Sequence, residues 1–106
     1  MDIQLKKGAL ELCVLGQLLD QDLYGYNLVE RITKHIDISD GTVYPILRRL
    51  EKEGLVESYL KESSEGPARR YYRINGQGKA HFESLFSDWR SLNHGVEEIL
   101  RGDKNE

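Results

Sequence analysis

Ser39-Asp40-Gly41-Thr42-Val43-Tyr44-Pro45-Ile46-Leu47-Arg48-Arg49-Leu50-Glu51-Lys52-Glu53-Gly54 is the stretch on which the fold turns. Ser39 suits an N-cap, because its hydroxyl can accept a hydrogen bond from an unpaired amide of the first helical turn. Val43, Ile46, Leu47 and Leu50 follow at spacings of three and four, which puts them on one helical face. Pro45, Arg48 and Lys52 fall on the opposite face, with Thr42 and Arg49 on a flank. Gly54 stands where a left-handed residue ends a helix. The expected helix is aliphatic on its buried side, and its outer side is small at the start and cationic further on. Pro45 conflicts with it: the residue has no amide to bond back to the carbonyl of Gly41, and an interior proline costs ~3 kcal/mol. A helix with an irregular first turn, eased by Gly41, reconciles the two.

The residues beyond Gly54 decide how that helix is read. Leu55 to Leu60 reads as a strand, and Arg69 to Ile74 as a second one. Between them, Leu60 to Ala68 is rich in Lys, Glu, Ser and Gly, with Pro67 near its end, the composition of a mobile loop. Strand alternation turns Tyr72 and Ile74 inward and Tyr71 and Arg73 outward. A helix followed at once by a basic two-stranded hairpin is the order of a winged helix-turn-helix. In such a fold, small residues at the helix start approach base edges, and arginines reach guanine or phosphate. The candidate DNA contacts are therefore Ser39, Gly41, Thr42, Tyr44, Pro45, Arg48, Arg49 and Lys52 on the helix, with Arg69, Arg70 and Arg73 on the hairpin. The plainer alternative is a solvated helix whose cations pair with Glu51 and Glu53. Edge-strand arginines also guard against aggregation, so one of the three hairpin arginines is open to that reading.

These residues carry a resemblance. Ser39-x-Gly41-Thr42-Val43-Tyr44-Pro45-x-Leu47-x-x-Leu50-x-x-x-Gly54-Leu55 resembles the recognition-helix motif of the PadR family of transcriptional regulators. Leu23-Tyr24-Gly25-Tyr26-x-Leu28 and Gly66-Pro67-x-Arg69-x-Tyr71-Tyr72 resemble that family's second-helix and wing motifs. Arg70 stands where lysine is common and Asn75 where threonine is common. The resemblance implies a mainly α fold with a β-hairpin wing and a C-terminal dimerisation helix. It also implies a homodimeric repressor on a palindromic operator in double-stranded DNA. The short tail resembles the group that lacks the long C-terminal domain of phenolic-acid sensors.

Upstream of the helix-turn-helix, Leu5 to Leu19 reads as a first helix with a stripe of Leu12, Leu15 and Leu19, widened by Ala9, Val14 and Leu18. A stripe this wide calls for burial on two sides. Leu23-Tyr24-Gly25-Tyr26 then begins a second helix carrying Leu28, Val29, Ile32 and Ile36, whose free amides at the start could hold a phosphate. Tyr24 and Tyr26 suit packing with their hydroxyls near the surface.

Downstream, Asn75-Gly76-Gln77-Gly78 separates the hairpin from a last helix. There Phe82, Leu85, Trp89, Leu92, Val96 and Ile99 alternate at three and four, a heptad-like seam bordered by Phe86 and Leu100. A narrow stripe of this kind is best buried by a second subunit, and palindromic sites need two-fold symmetry. Residues 1–75 are thus expected to form the DNA-binding domain, and 76–106 the dimerisation helix and polar tail. Trp89 has two readings: a dimer-core aromatic, or one wall of a slot for a planar aromatic effector, as in a multidrug-sensing branch of the resembled family. Gly95 marks a bend or a close approach of backbones.

Composition bounds the rest. The net charge of −3 over 106 residues is unlike a typical nucleic-acid binder. Its distribution favours the central segment: residues 39–75 hold seven Lys or Arg against six Asp or Glu, whereas each flanking segment holds four against six. The single Cys13, in an apolar run, excludes a disulfide framework and reads as a core filler in a reducing compartment, most simply the cytoplasm. No run approaches a membrane span. His35, His81 and His94 have no ligand spacing, and nothing calls for a metal, a cofactor or a catalytic group. The rival to a DNA-binding regulator is a winged-helix adaptor that binds protein and no DNA.

Overall fold

The computed structural model describes residues 3–102; Asp103 to Glu106 of the expected polar tail lie outside them. Four helices and a three-stranded antiparallel sheet follow the order α1 (Ile3–Gln17), β1 (Leu23–Tyr24), α2 (Gly25–Thr33), α3 (Asp40–Lys52), β2 (Val56–Ser63), β3 (Gly66–Ile74) and α4 (Gly76–Arg101). This is a winged helix with one long additional helix.

The core collects one face from each element. Leu10, Val14, Leu15 and Leu18 of the α1 region meet Leu28, Val29 and Ile32 of α2, Val43, Leu47 and Leu50 of α3, and Val56, Tyr72 and Ile74 of the sheet. The α1 stripe is therefore rotated from the expected one: Leu12 and Leu19 are only partly buried, and Leu10 takes a core position. Cys13 is half-buried against this cluster, and burial raises its thiol pKa, which suits a filler and not a nucleophile.

Two expectations about the sheet are corrected. Leu23 and Tyr24 do not open α2; they form β1, which pairs with Tyr72 and Tyr71, so the sheet order is β1-β3-β2. The local helical signal gives way because β3 offers unpaired backbone groups on that edge. The long loop from Leu60 to Ala68 is also absent. Pairing runs from Val56↔Ile74 out to Ser63↔Gly66, with an irregularity between Lys61 and Ser63, leaving Ser64 and Glu65 as the turn. The polar composition belongs to a solvent-exposed hairpin, whose ladder does not require apolar side chains on both faces.

α3 runs unbroken through Pro45. Its first turn contains a bond from the Thr42 amide to the Ser39 carbonyl at 3.0 Å, a tighter contact than the α-helical one. Ser39 holds the N-cap position, yet its hydroxyl caps no amide and instead lies 3.1 Å from the Thr42 hydroxyl. At the other end Gly54 takes φ 80°, and the amides of Gly54 and Leu55 bond to Glu51 and Leu50, a Schellman closure that sends the chain into β2.

Asn75-Gly76-Gln77-Gly78 is not a spacer but the start of α4. The Asn75 side chain accepts from the Gly78 amide at 2.8 Å and donates to the Gly54 carbonyl at 2.7 Å, tying the α4 cap to the end of α3. Asn75→Ala should lose both bonds and lower stability by about 1–2 kcal/mol, measurable by denaturant unfolding. α4 then crosses α1, with the Phe82 ring against Gly16, where a Cβ would come within 3.1 Å. Phe82 and Leu85 pack on the core, Trp89 and Leu92 still face α1 across a recess, and beyond them α4 leaves the body. Its 26 residues span about 39 Å, which accounts for the elongated 64 × 29 × 21 Å shape.

Candidate nucleic-acid interface

The outward side of α3 is built by what its inward side needs. With Val43, Leu47 and Leu50 fully buried, Gly41, Pro45, Arg48 and Lys52 are turned to solvent on one surface. Among the described residues, no hydrogen bond or ion pair engages the Arg48 or Lys52 side chain. A Cβ on Gly41 would meet only the Ser39 hydroxyl, at 3.9 Å, so nothing inside the chain demands a glycine there. Thr42 is half-buried beside Ser39.

Two of the helix candidates sit elsewhere. Tyr44 is half-buried in the angle between α2 and α3, where Gly25 makes room for its ring and that of Tyr72. Burial raises the pKa of both phenols. Arg49 turns to the α1 side: its guanidinium lies 3.1 Å and 3.2 Å from the two Glu53 oxygens and 3.5 Å from Glu11.

The wing separates its three arginines. Arg70 is on the α3 side, donating to the Ser58 hydroxyl at 2.9 Å, which donates to Glu51 at 2.7 Å. This chain of bonds fixes the wing to the recognition helix. Arg69 and Arg73 lie on the other face, stacked over Tyr24 at 5.0 Å and Tyr59 at 4.9 Å, and Lys61 covers Tyr71 at 5.1 Å. Arg73 also pairs with Asp22 at 3.3 Å. The Tyr59 hydroxyl donates to the same carboxylate at 2.7 Å, a bond that raises its pKa. Sequence reasoning missed this aromatic and cationic face because Asp22 falls between the first two expected helices and Lys61 within the expected loop. Pairing of β1 with β3 is what joins them.

α4 presents the remaining surface. Trp89, Leu92, Val96 and Ile99 are 43%, 65%, 43% and 77% exposed, an apolar row continuing past the body. Beside its inner end, Gly8, Ala9, Leu12, Leu85, Asp88, Trp89 and Leu92 line a recess of about 410 Å³. No group of His, Cys, Asp and Glu among the described residues is arranged to hold a metal ion.

The sequence pattern of the PadR-like transcriptional regulators matches residues 14–84. The chain belongs to that family. A PadR-like transcriptional regulator of Bacillus cereus has a crystal structure with 39% identity and a TM-score of 0.83, over 93% of this chain and 98% of that one. A PadR family regulator of Eggerthella lenta matches with 35% identity and a TM-score of 0.82, over 94% and 88% of the two chains. A transcriptional regulator of Mycobacterium tuberculosis is 34% identical over 100 residues, covering 93% of this chain and 90% of its own. As a PadR-like protein the chain is a transcriptional regulator, and its winged helix-turn-helix is the family's fold.

Proposed function

We propose that this PadR-like regulator is a repressor that binds a palindromic operator as a homodimer in the cytoplasm. Residues 1–75 would supply the DNA-binding unit and 76–106 the dimer contact. The observation that carries the reading is the outward face of α3: a glycine the chain itself does not need, followed by Arg48 and Lys52, which have no hydrogen-bond or ion-pair partner among the described residues. A bare backbone next to available cations suits close approach to base edges and phosphates. In this reading Gly41, Thr42, Pro45, Arg48 and Lys52 enter the major groove, with Ser39 at its rim. Arg70 follows on the α3 side of the wing, whereas Tyr44, Arg49, Arg69 and Arg73 support the interface through their packing and ion pairs.

The open row on α4 supports the second half of the proposal, with Trp89, Leu92, Val96 and Ile99 closing the seam and Phe82 and Leu85 anchoring it to each body. Release by an effector fits the same frame. The recess beside Trp89 is largely apolar and carries Asp88, which suits a planar aromatic cation. Because Trp89 is the only tryptophan, quenching by such a compound would report this place directly.

The test is selection of bound fragments from the source genome, followed by affinity measurement on the selected operator. Arg48→Ala is expected to weaken that operator by about 1–3 kcal/mol and to relax the preference at one base position. Unchanged affinity and preference in a folded Arg48→Ala protein would remove Arg48 from the groove.

A further inference from the structure

Glu11 brings three helices to a single oxygen. Its Oε1 lies 3.2 Å from Nε2 of His81 on α4 and 3.5 Å from the guanidinium of Arg49 on α3. The Glu11 side chain is 16% exposed, against 39% for His81 and 45% for Arg49, so the carboxylate is the shielded hub and its partners form the rim. An ionised carboxylate only accepts hydrogen bonds, so Nε2 of His81 carries the hydrogen in this contact. Glu53, one turn beyond Arg49, holds the same guanidinium nitrogen that faces Glu11, at 3.1 Å.

We propose that Glu11 is a positioning residue that fixes the angle between the recognition helix and α4, and thereby the half-site spacing that the dimer accepts. The inference rests on the DNA-binding reading above. α1 lies between the other two helices, and apolar packing such as Phe82 on Gly16 resists separation more than it resists sliding. The shared carboxylate restrains the remaining motion, because a tilt of α4 against α3 that carries His81 or Arg49 away from Glu11 lengthens that contact. In a two-fold assembly joined through α4, that tilt moves the two copies of α3 relative to each other. One base pair of DNA corresponds to about 3.4 Å along the axis and a rotation of about 35°, so a small change of angle is read as spacing.

The probe is a set of duplexes carrying the operator selected by the unmodified protein, with the central spacer kept, lengthened or shortened by one base pair. The unmodified protein should lose about tenfold or more in affinity when the spacer changes, and Glu11→Gln should reduce that penalty to about threefold or less. A purely structural role would lower thermal stability and weaken all three duplexes in parallel. That parallel loss, or a flat spacing profile in the unmodified protein, overturns the proposal. His81→Gln alters a more exposed side of the same junction and should flatten the profile in the same direction, which keeps the test decisive if Glu11→Gln folds poorly. Failure of the unmodified protein to bind any selected duplex would instead overturn the DNA-binding reading itself. In the DNA-free protein, Arg49→Ala should shift the His81 ring proton resonances through Glu11, and unshifted resonances would contradict the shared contact.

Discussion

Gly78→Ala is expected to be the most damaging alanine substitution among the described glycines. A Cβ at this position would come 2.1 Å from the Leu55 carbonyl oxygen and 2.6 Å from Cγ1 of Ile74. The obstacle on one side is backbone, and on the other a core side chain, so neither can turn aside cheaply. Leu55 is held at both its amide and its carbonyl, the first by the closure of α3 and the second by the Asn75 amide. The first turn of α4 must therefore lift off the sheet, taking with it the Asn75 cap and the bond to Gly54. Overpacking of this kind typically costs about 1–3 kcal/mol, and loss of the cap adds about 1 kcal/mol. A total of about 4 kcal/mol is a large share of the stability of a small domain. Chemical denaturation should show it as a lower midpoint. A stability within a few tenths of a kcal/mol of the unmodified protein would mean that α4 does not seat against Leu55 as described.

Leu92→Lys should have an effect of similar size, but on assembly and not on the protomer. Leu92 is 65% exposed, so a lysine there meets water in a single chain and should leave the fold intact. Across a helix seam the same lysine would be a buried charge without a partner, which costs about 3–5 kcal/mol. Since about 1.4 kcal/mol is a factor of ten, dimer dissociation should rise by roughly a hundredfold to a thousandfold or more. Sedimentation at micromolar concentration should show a folded monomer with an unchanged helical signal and greatly reduced operator binding. A dimer that survives the change would place the subunit contact away from the Trp89–Ile99 row.

Much of this fold is legible in short-range pattern. The spacing of Val43, Leu47 and Leu50 places α3, the alternation of Tyr72 and Ile74 orients β3, and Gly54 marks the turn between helix and wing. The features that were not legible depend on contacts distant in sequence. β1 exists because Tyr71 and Tyr72 lie alongside Leu23 and Tyr24, and no local propensity reveals a two-residue strand. The buried role of Gly78 comes from the Leu55 carbonyl, and in sequence it resembles a loop glycine. Arg49 reads as a DNA contact; its pairing with Glu53 one turn on was open to the sequence, and only Glu11, far earlier in the chain, shows that it turns to the α1 side. The wing arginines separate for the same reason: alternation puts Arg70 opposite Arg69 and Arg73, but which face meets α3 is decided by Ser58 and Glu51.

The most direct measurement of DNA binding through α3 and the wing is the salt dependence and stoichiometry on a selected operator duplex. Each phosphate neutralised by a Lys or Arg releases counterions, so log K should fall with log salt at a slope of about −0.9 per contact. With Arg48 reading a base, two copies presenting Lys52 and Arg70 to phosphates predict a slope of about −4, with two chains on each duplex. A shallow slope, or one chain per duplex, would contradict a dimeric regulator that grips DNA through α3 and the wing.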